Sequence, residues 1–585
     1  MTTPATPGRP GRITRVSGPL VQIDGAADTA MHDVVTLGPH RSPGEVVAIH
    51  GPALTVQAYE YTGGLRPGDT ATPLGHPLAA RLGPWLLGGL FDGLLRPLGD
   101  APVWLTTGAL GGGPANGSAW RFTPRMAVGD PAGPGSVLGT VSTRGPIEFR
   151  VLVPAQVSGT VERIAAAGEY GPDDTLATIG TAAVTMTAEW PVRRPRPCTA
   201  RRDASEPLHT GQRVVDALFP IVKGGTAAVP GGFGTGKTLL LQQIAKWCDA
   251  DVIVYVGCGE RGNEMADVVG ELSALDDPRT GGRLLDRTVV VANTSNMPMM
   301  AREASIYTGV TVAEFFRDMG YDAVVIADST SRWAEALREF AARSGTPPAE
   351  EGYPADLASA LAAFYERAGS AETLAGGTGS VTIIGAVSPP GGDLTEPVTA
   401  NTERFVRCRW TLDRDLAYAR HYPAVSWSAS FCRDAGAVGS YRARLGDAGW
   451  ARRRARALDV LAEADRIAAL ADLVGTAGLP AHERMTLLGG RLLRDGVLQQ
   501  NALVANDAFC TPAKSAALLD AVLDVAERCH ALVDAGVAPS AVESADFGRL
   551  VRAREELGPD DAEGVGPRHD AILAELNATT GASAP

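Results

Sequence analysis

The chain has 585 residues, 45% apolar and 20% charged, with a formal charge of -13 from 53 basic and 66 acidic side chains. This is globular composition on a chain too long for one core, so about three or four domains are expected and a chain disordered throughout is excluded. With a negative balance and no dominating basic run, nucleic acid is not expected as a main partner.

The opening residues, MTTPATPGRPGRITRV, hold no apolar core segment. No secretory signal is expected from them, and residues 1–10 read as a loose tail. Residues 11–75 contain the short alternating or β-branched runs RITRVSGPLVQID, GEVVAIHG and ALTVQAYEY, punctuated by Gly and Pro, which predict an N-terminal β-barrel. Residues 76–109 read as a connector; its apolar stretch from Leu82 to Leu98 is interrupted by glycines, Pro84 and Asp92 and is too short to span a bilayer. From 110 to 195 a second turn-rich series, with GSVLGTV, IEFRVLVP, VSGTVERIAAAGEY and DTLATIG, predicts an inserted β-rich bulge domain. Its rhythm resembles a biotinyl or lipoyl carrier domain, but the hairpin AAVTMTAEW has no lysine to modify, which leaves a structural sandwich.

Over 196–430 the pattern changes to strands alternating with helices, the mark of a parallel sheet. The predicted strands are TAAVP, DVIVYVG, RTVVVANT, DAVVIAD and SVTIIGAV, and the Gly-rich and charged motifs fall at their carboxyl ends, where open parallel sheets bind ligands. Over 431–585 strand signals fade, and Leu461, Ala464, Ile467, Ala471 and Val474 repeat at helical spacing, predicting a C-terminal helical bundle. The seven cysteines show no Cys-x-x-Cys pair and no metal-ligand spacing with histidine, as suits a reducing cytosol, and Cys258 reads as a small buried residue.

The stretch Gly231, Gly232, Phe233, Gly234, Thr235, Gly236, Lys237 and Thr238 matches the phosphate-binding loop of nucleoside triphosphatases, whose backbone N–H groups form an anion nest at a helix start. Lysine is scarce here, at residues 223, 237, 246 and 514 alone, with arginine at every other basic position. A compact ammonium folds between the outer phosphates where arginine's planar fork would displace the loop, so Lys237 is the expected phosphate ligand. Thr238 offers a hydroxyl directly to magnesium, and Asp328, after AVVIA, can hold the metal's water shell. Glu260, next to Arg261 in GCGERGNEM, can accept a proton from an attacking water. The plainer readings are a surface ion pair for Glu260 and Arg261, and a helix N-cap for Asp328.

The ordered set GGFGTGKT, VYVGCGERGNEM, NTSNMPMMAREASIYTG, ADSTSRWAEALRE, EEGYP, LAAFYERAG, GSVTIIGAVSPPGGD and LQQNA resembles the catalytic A-type chain of the V/A-type rotary ATPases, from about residue 10 to about 530. Residues 110–195, with WRFTPRMAVGD and VPAQVSGTV, resemble the insertion that marks these catalytic chains. The resemblance implies a RecA-like phosphate-loop core and a ring of three catalytic A chains alternating with three B chains. It also implies central and peripheral stalk subunits and a membrane sector that moves protons or sodium ions, with the ring cytoplasmic and peripheral on the membrane's inner face. ATP or ADP with Mg2+ would bind at Gly231 to Thr238, with Glu260 as base, Arg261 on the outer phosphate, and a completing arginine supplied by the B subunit. In the adenine pocket the family's flanking aromatics correspond to Tyr422 and Phe509, while Leu503 departs from the pattern; Ala360 replaces an arginine common in the family. Two alternatives remain: a homohexameric export or translocase ATPase, and a non-catalytic nucleotide-binding ring subunit.

Overall fold

Alternating apolar residues close the first domain in the computed structural model, which describes residues 8–99, 113–114 and 117–581. Residues 1–7 of the expected tail, 100–109 of the expected connector, and 110–112 and 115–116 of the expected insertion lie outside them. Six strands, from Gly11–Ser17 to Thr70–Pro77, form a closed antiparallel barrel. Every second residue points inward, so Ile13, Val21, Ile23, Val35, Leu54 and Val56 fill it and closure leaves no free sheet edge.

The insertion folds as two four-stranded antiparallel sheets, one containing Trp120–Pro124, Val137–Val141 and Phe149–Leu152, the other Gly159–Ile164 and Ala177–Ile179. Phe122, Leu138, Val141, Phe149, Val161 and Ile179 are buried in it. The chain leaves and returns by one ribbon: Ala79–Leu82 pairs antiparallel with Ala188–Pro191, in the register Leu82 to Ala188. That pairing makes the sandwich an excursion from a continuous path.

Among the described residues the central sheet has ten strands. Its parallel core places Thr226–Pro230 beside Thr378–Val387, then Asp322–Asp328, Val252–Cys258 and Thr288–Asn293. These are continuous Val, Ile and Ala runs because helices cover both faces and no side of the strand meets water. All five strands read from the sequence are present, and their carboxyl ends lie together along one edge of the sheet. The longest covering helix, Met299–Asp318, is buried along nearly its whole length.

Beyond it, the helices Trp450–Val474, Ala481–Leu493, Pro512–Asp534 and Val565–Gly581 form the C-terminal bundle. Leu461, Ala464 and Ile467 turn inward as their spacing requires, while the side chain of Val474 lies outside the described residues. The fold is therefore the expected one: barrel, inserted β-domain, α/β core and helical bundle. Leu461, Leu488 and Val522 belong to the same apolar cluster as Leu240 and Ile244 of the helix Lys237–Trp247. Among the described residues no helix is long and apolar enough to cross a membrane.

Candidate active site

The strand Thr226–Pro230 is fully buried and delivers the chain to Gly231 at the sheet's carboxyl edge. A side chain at Gly231 would start 2.7 Å from the Thr235 hydroxyl and 2.9 Å from Leu412 Cβ, so the turn closes only around glycine. Gly234 and Gly236 adopt φ of 80° and 83°, the left-handed region that glycine enters without steric cost. Thr235 ties the loop by donating its hydroxyl to the Gly232 carbonyl at 2.9 Å. The helix Lys237–Trp247 then starts with no side-chain cap, which leaves its first amides directed at the loop's concave face.

Lys237 is folded back over that face, donating to the carbonyls of Gly231 and Val387, both at 3.1 Å, and to the Ser388 hydroxyl. Burial pushes its pKa down, opposed by the charges of Asp328 and Glu260. Three partners in a narrow cone suit a tetrahedral ammonium and not a planar fork. Asp328 ends the strand Asp322–Asp328 and is almost fully buried; it accepts from the Tyr255 hydroxyl at 3.1 Å and more weakly from Thr238 at 3.4 Å. It does not cap the following helix: Ser329 holds that position, with no side-chain cap bond. Burial raises the Asp328 pKa, and Lys237 opposes that most.

Glu260 lies just past the strand Val252–Cys258, after Gly259, whose φ is 75° and where an added Cβ would sit 2.6 Å from Arg332 Cβ. Burial, then the neighbouring Asp328 charge, raises its carboxyl pKa to about 7, while Arg332 pulls the other way. A carboxyl poised there is matched to taking a proton from water near neutral pH. Arg261 does not pair with it; its side chain is 72% exposed and approaches Glu264 at 4.0 Å. Cys258 is buried, as read from the sequence.

The donor set fits magnesium. A hard cation of this kind takes one or two carboxylates, a hydroxyl and substrate phosphates, not an all-protein cage. Asp328 and Thr238 are that set, and among the described residues no group of three or more His, Cys, Asp or Glu side chains stands ready for a metal.

Beside the loop a cleft of about 380 Å³ opens between Gly236, Tyr422, Gln500 and Leu503. Tyr422 overhangs the loop, 3.1 Å from where a Cβ on Gly236 would lie. Phe509, expected as a second flanking aromatic, does not line this cleft. It stacks on Trp247 with ring centroids 5.1 Å apart and meets His209 edge-on at 5.5 Å. Trp247 stands at the far end of the phosphate-loop helix Lys237–Trp247, so this packing holds Phe509 against that end of the helix. Leu503, which lines the cleft, is 95% exposed, as is Phe233 in the phosphate loop. Replacing Leu503 with Phe should therefore add a stacking face opposite Tyr422. We expect about 0.5–1.5 kcal/mol, roughly two- to tenfold tighter binding of adenine nucleotide in a fluorescent-nucleotide titration; unchanged affinity would remove Leu503 from the base contact.

Sequence reasoning did not single out Ser388, Tyr255 or Arg332. Tyr255 carried a faint signal, a hydroxyl within an otherwise apolar strand; Ser388 is distant in sequence and reaches Lys237 only through the pairing of Pro230 with Val387.

Four family models match the chain in order. "ATP synthase alpha/beta family, beta-barrel domain" covers residues 13–75, the "barrel-sandwich domain" of the ATP synthase alpha/beta chains covers 115–193, the "nucleotide-binding domain" of the same alpha/beta family covers 211–432, and "C-terminal domain of V and A type ATP synthase" covers 443–536. Among similar proteins, the V-type ATP synthase alpha chain of Nitrosococcus oceani is 47% identical over 90% of this chain and 91% of its own. The corresponding A-type ATP synthase chain of Methanopyrus kandleri is 47% identical over the same shares, and that of Halobacterium salinarum 44% over 97% and 96%. Among solved structures, the assembled ATPase EscN of the enteropathogenic E. coli type III secretion system superposes with a TM-score of 0.65, covering 88% of this chain and 100% of its own. At 22% identity it shares the fold alone.

Proposed function

We propose, from the premise that this chain belongs to the family of V-type ATP synthase alpha chains and their A-type ATP synthase counterparts, that it is the catalytic subunit of a V/A-type rotary ATPase. It makes or splits the terminal phosphate bond of ATP. The observation that carries this reading is the convergence of Lys237, Asp328 and Glu260 at one edge of the sheet, close enough for their charges to shift one another.

The residues divide the work by position. The loop amides and Lys237 hold the phosphates, with Lys237 exchanging its carbonyl partners for phosphate oxygens. Thr238 and Asp328 would hold magnesium, directly and through water. The metal, bound with the nucleotide, neutralises charge on the phosphate oxygens. Glu260 orients the attacking water and takes its proton. Arg261, exposed and lightly paired, is free to swing onto the outer phosphate. Tyr422 and the cleft beside it take the base.

In this reading the site is completed by an arginine from a B subunit in a ring of three catalytic and three B chains, held by central and peripheral stalks on the cytoplasmic face of the membrane. Turnover is coupled there to proton or sodium movement. Native mass spectrometry of the tagged chain, taken from washed membranes of its own cells, tests this. We expect an alternating ring with a related chain that lacks the phosphate-loop lysine. A soluble homohexamer would replace this reading with an export-type ATPase, whose fold the chain shares.

A further inference from the structure

We propose that Cys408 and Cys432 form a modification site, a dithiol that peroxide oxidises to an intramolecular disulfide. The two residues face each other across the short antiparallel strands Cys408–Arg409 and Phe431–Cys432 at the edge of the central sheet, as direct Cα partners. The Arg433 N–H donates to the Arg407 carbonyl at 2.9 Å, which makes the cysteines between them a non-hydrogen-bonded pair. Such pairs have the closer spacing of antiparallel sheets, with Cα atoms about 4.5 Å apart, inside the roughly 4.4–6.8 Å that a disulfide bridges. Both thiols also lie on one side of the ribbon, since each donates to the same oxygen, the Pro220 carbonyl, at 3.3 Å from Cys408 Sγ and 3.0 Å from Cys432 Sγ. Closure therefore requires only that the two S–H groups release a shared acceptor.

The pair is asymmetric in a way that orders the chemistry. Cys408 is fully buried, while Cys432 is partly exposed. The proximity of the two sulfurs raises the Cys408 pKa, with burial adding to it, and lowers that of Cys432, on which the nearby Arg454 charge acts in the same direction. Thiolate character and access thus coincide on Cys432, with a resolving thiol beside it. The Cys432 thiolate attacks one oxygen of hydrogen peroxide; the O–O bond breaks, a sulfenic acid forms, and hydroxide leaves. The Cys408 sulfur then attacks the Cys432 sulfur; the S–S bond forms, the S–O bond breaks, and the departing hydroxide takes the Cys408 proton as water. Two thiols and one peroxide become one disulfide and two waters. The bridge would clamp the base of the segment that carries Tyr422, on the strand paired with Ala227 and Ala228 of the phosphate-loop strand.

The test is peroxide treatment of the folded full-length chain, followed by unfolding, alkylation of remaining thiols and tryptic mass spectrometry without reductant. The expected product is the peptide His421–Arg433 joined to Cys408–Arg409, lighter by two hydrogens than the separate peptides and released by dithiothreitol. In Cys408→Ser, dimedone should trap Cys432 as its sulfenic acid. Cys198, the other partly exposed cysteine, is the internal comparison. The proposal is overturned if Cys432 passes to sulfinic acid while Cys408 stays alkylatable, or if Cys198 oxidises at peroxide levels that leave Cys432 untouched. Should the serine variant fail to fold, the wild-type peptides decide alone.

Discussion

Glu260→Gln is expected to lower kcat for ATP hydrolysis by about 10²–10⁴ while leaving nucleotide affinity within a few fold, because the amide keeps the shape and loses the proton acceptor. The pH profile supplies a second, independent readout. The Glu260 pKa is raised to about 7, so the carboxylate form that a base requires is the major form above that value and is lost below it. In the wild-type enzyme kcat/KM, which reports the free enzyme, should fall about tenfold per pH unit on the acid side of that pKa. The glutamine variant should lack this limb. Equal turnover of the two proteins, or an unchanged acid limb in the variant, would remove Glu260 from proton transfer. Glu260→Asp should recover part of the rate and keep an acid limb, since the acceptor returns at a shorter reach.

The residues that the sequence exposed are those whose role is set by local backbone. The tight turn from Gly231 to Thr238 was legible because such a turn needs glycine at fixed offsets, and because a lysine among so many arginines marks a place where charge shape matters. Asp328 and Glu260 were legible for a related reason: buried parallel strands read as apolar runs, so a carboxylate at the end of one is already placed at the ligand edge. What stayed hidden was set by tertiary neighbours. Ser388 meets Lys237 only across paired strands. Phe509 packs on Trp247 and His209, a tertiary contact that no local pattern records. The raised pKa of Glu260 likewise depends on how deeply its own segment is buried and on Asp328 nearby. The insertion showed as a change of rhythm, but the ribbon joining Ala79–Leu82 to Ala188–Pro191 spans the whole excursion and could not be read from either segment alone.

Asp507→Ala is expected to destabilise the junction between the α/β core and the helical bundle by about 3–5 kcal/mol, the cost of stranding buried charge. Asp507 is fully buried between two arginines: Arg213, from the core helix Arg213–Leu218, 2.6 Å from its Oδ1, and Arg554, of the short C-terminal helix Ala553–Glu556, 2.5 Å from its Oδ2. The Arg213 contact is a charge contact without hydrogen-bond alignment at Oδ1: that guanidinium directs Nε and Nη2 at the carbonyls of Val497 and Gln499, at 2.6 and 2.5 Å. Removing the carboxylate leaves two cations facing each other in the interior. It also frees the Asn501 N–H, which Asp507 accepts at 2.7 Å and which sits in the segment that walls the base cleft. Calorimetry of the full chain should show a lowered transition, and the same variant should bind adenine nucleotide more weakly because Asn501, whose side chain accepts from the Leu503 N–H, loses its anchor. Asp507→Asn keeps an acceptor for Asn501 but not the charge, so it should lose stability while retaining more of the affinity. An alanine variant as stable as the parent would mean that water or a shifted arginine satisfies the site. The cleft wall would then be held instead by Lys514, whose ammonium donates to Arg554 and Leu557 carbonyls, each at 2.9 Å.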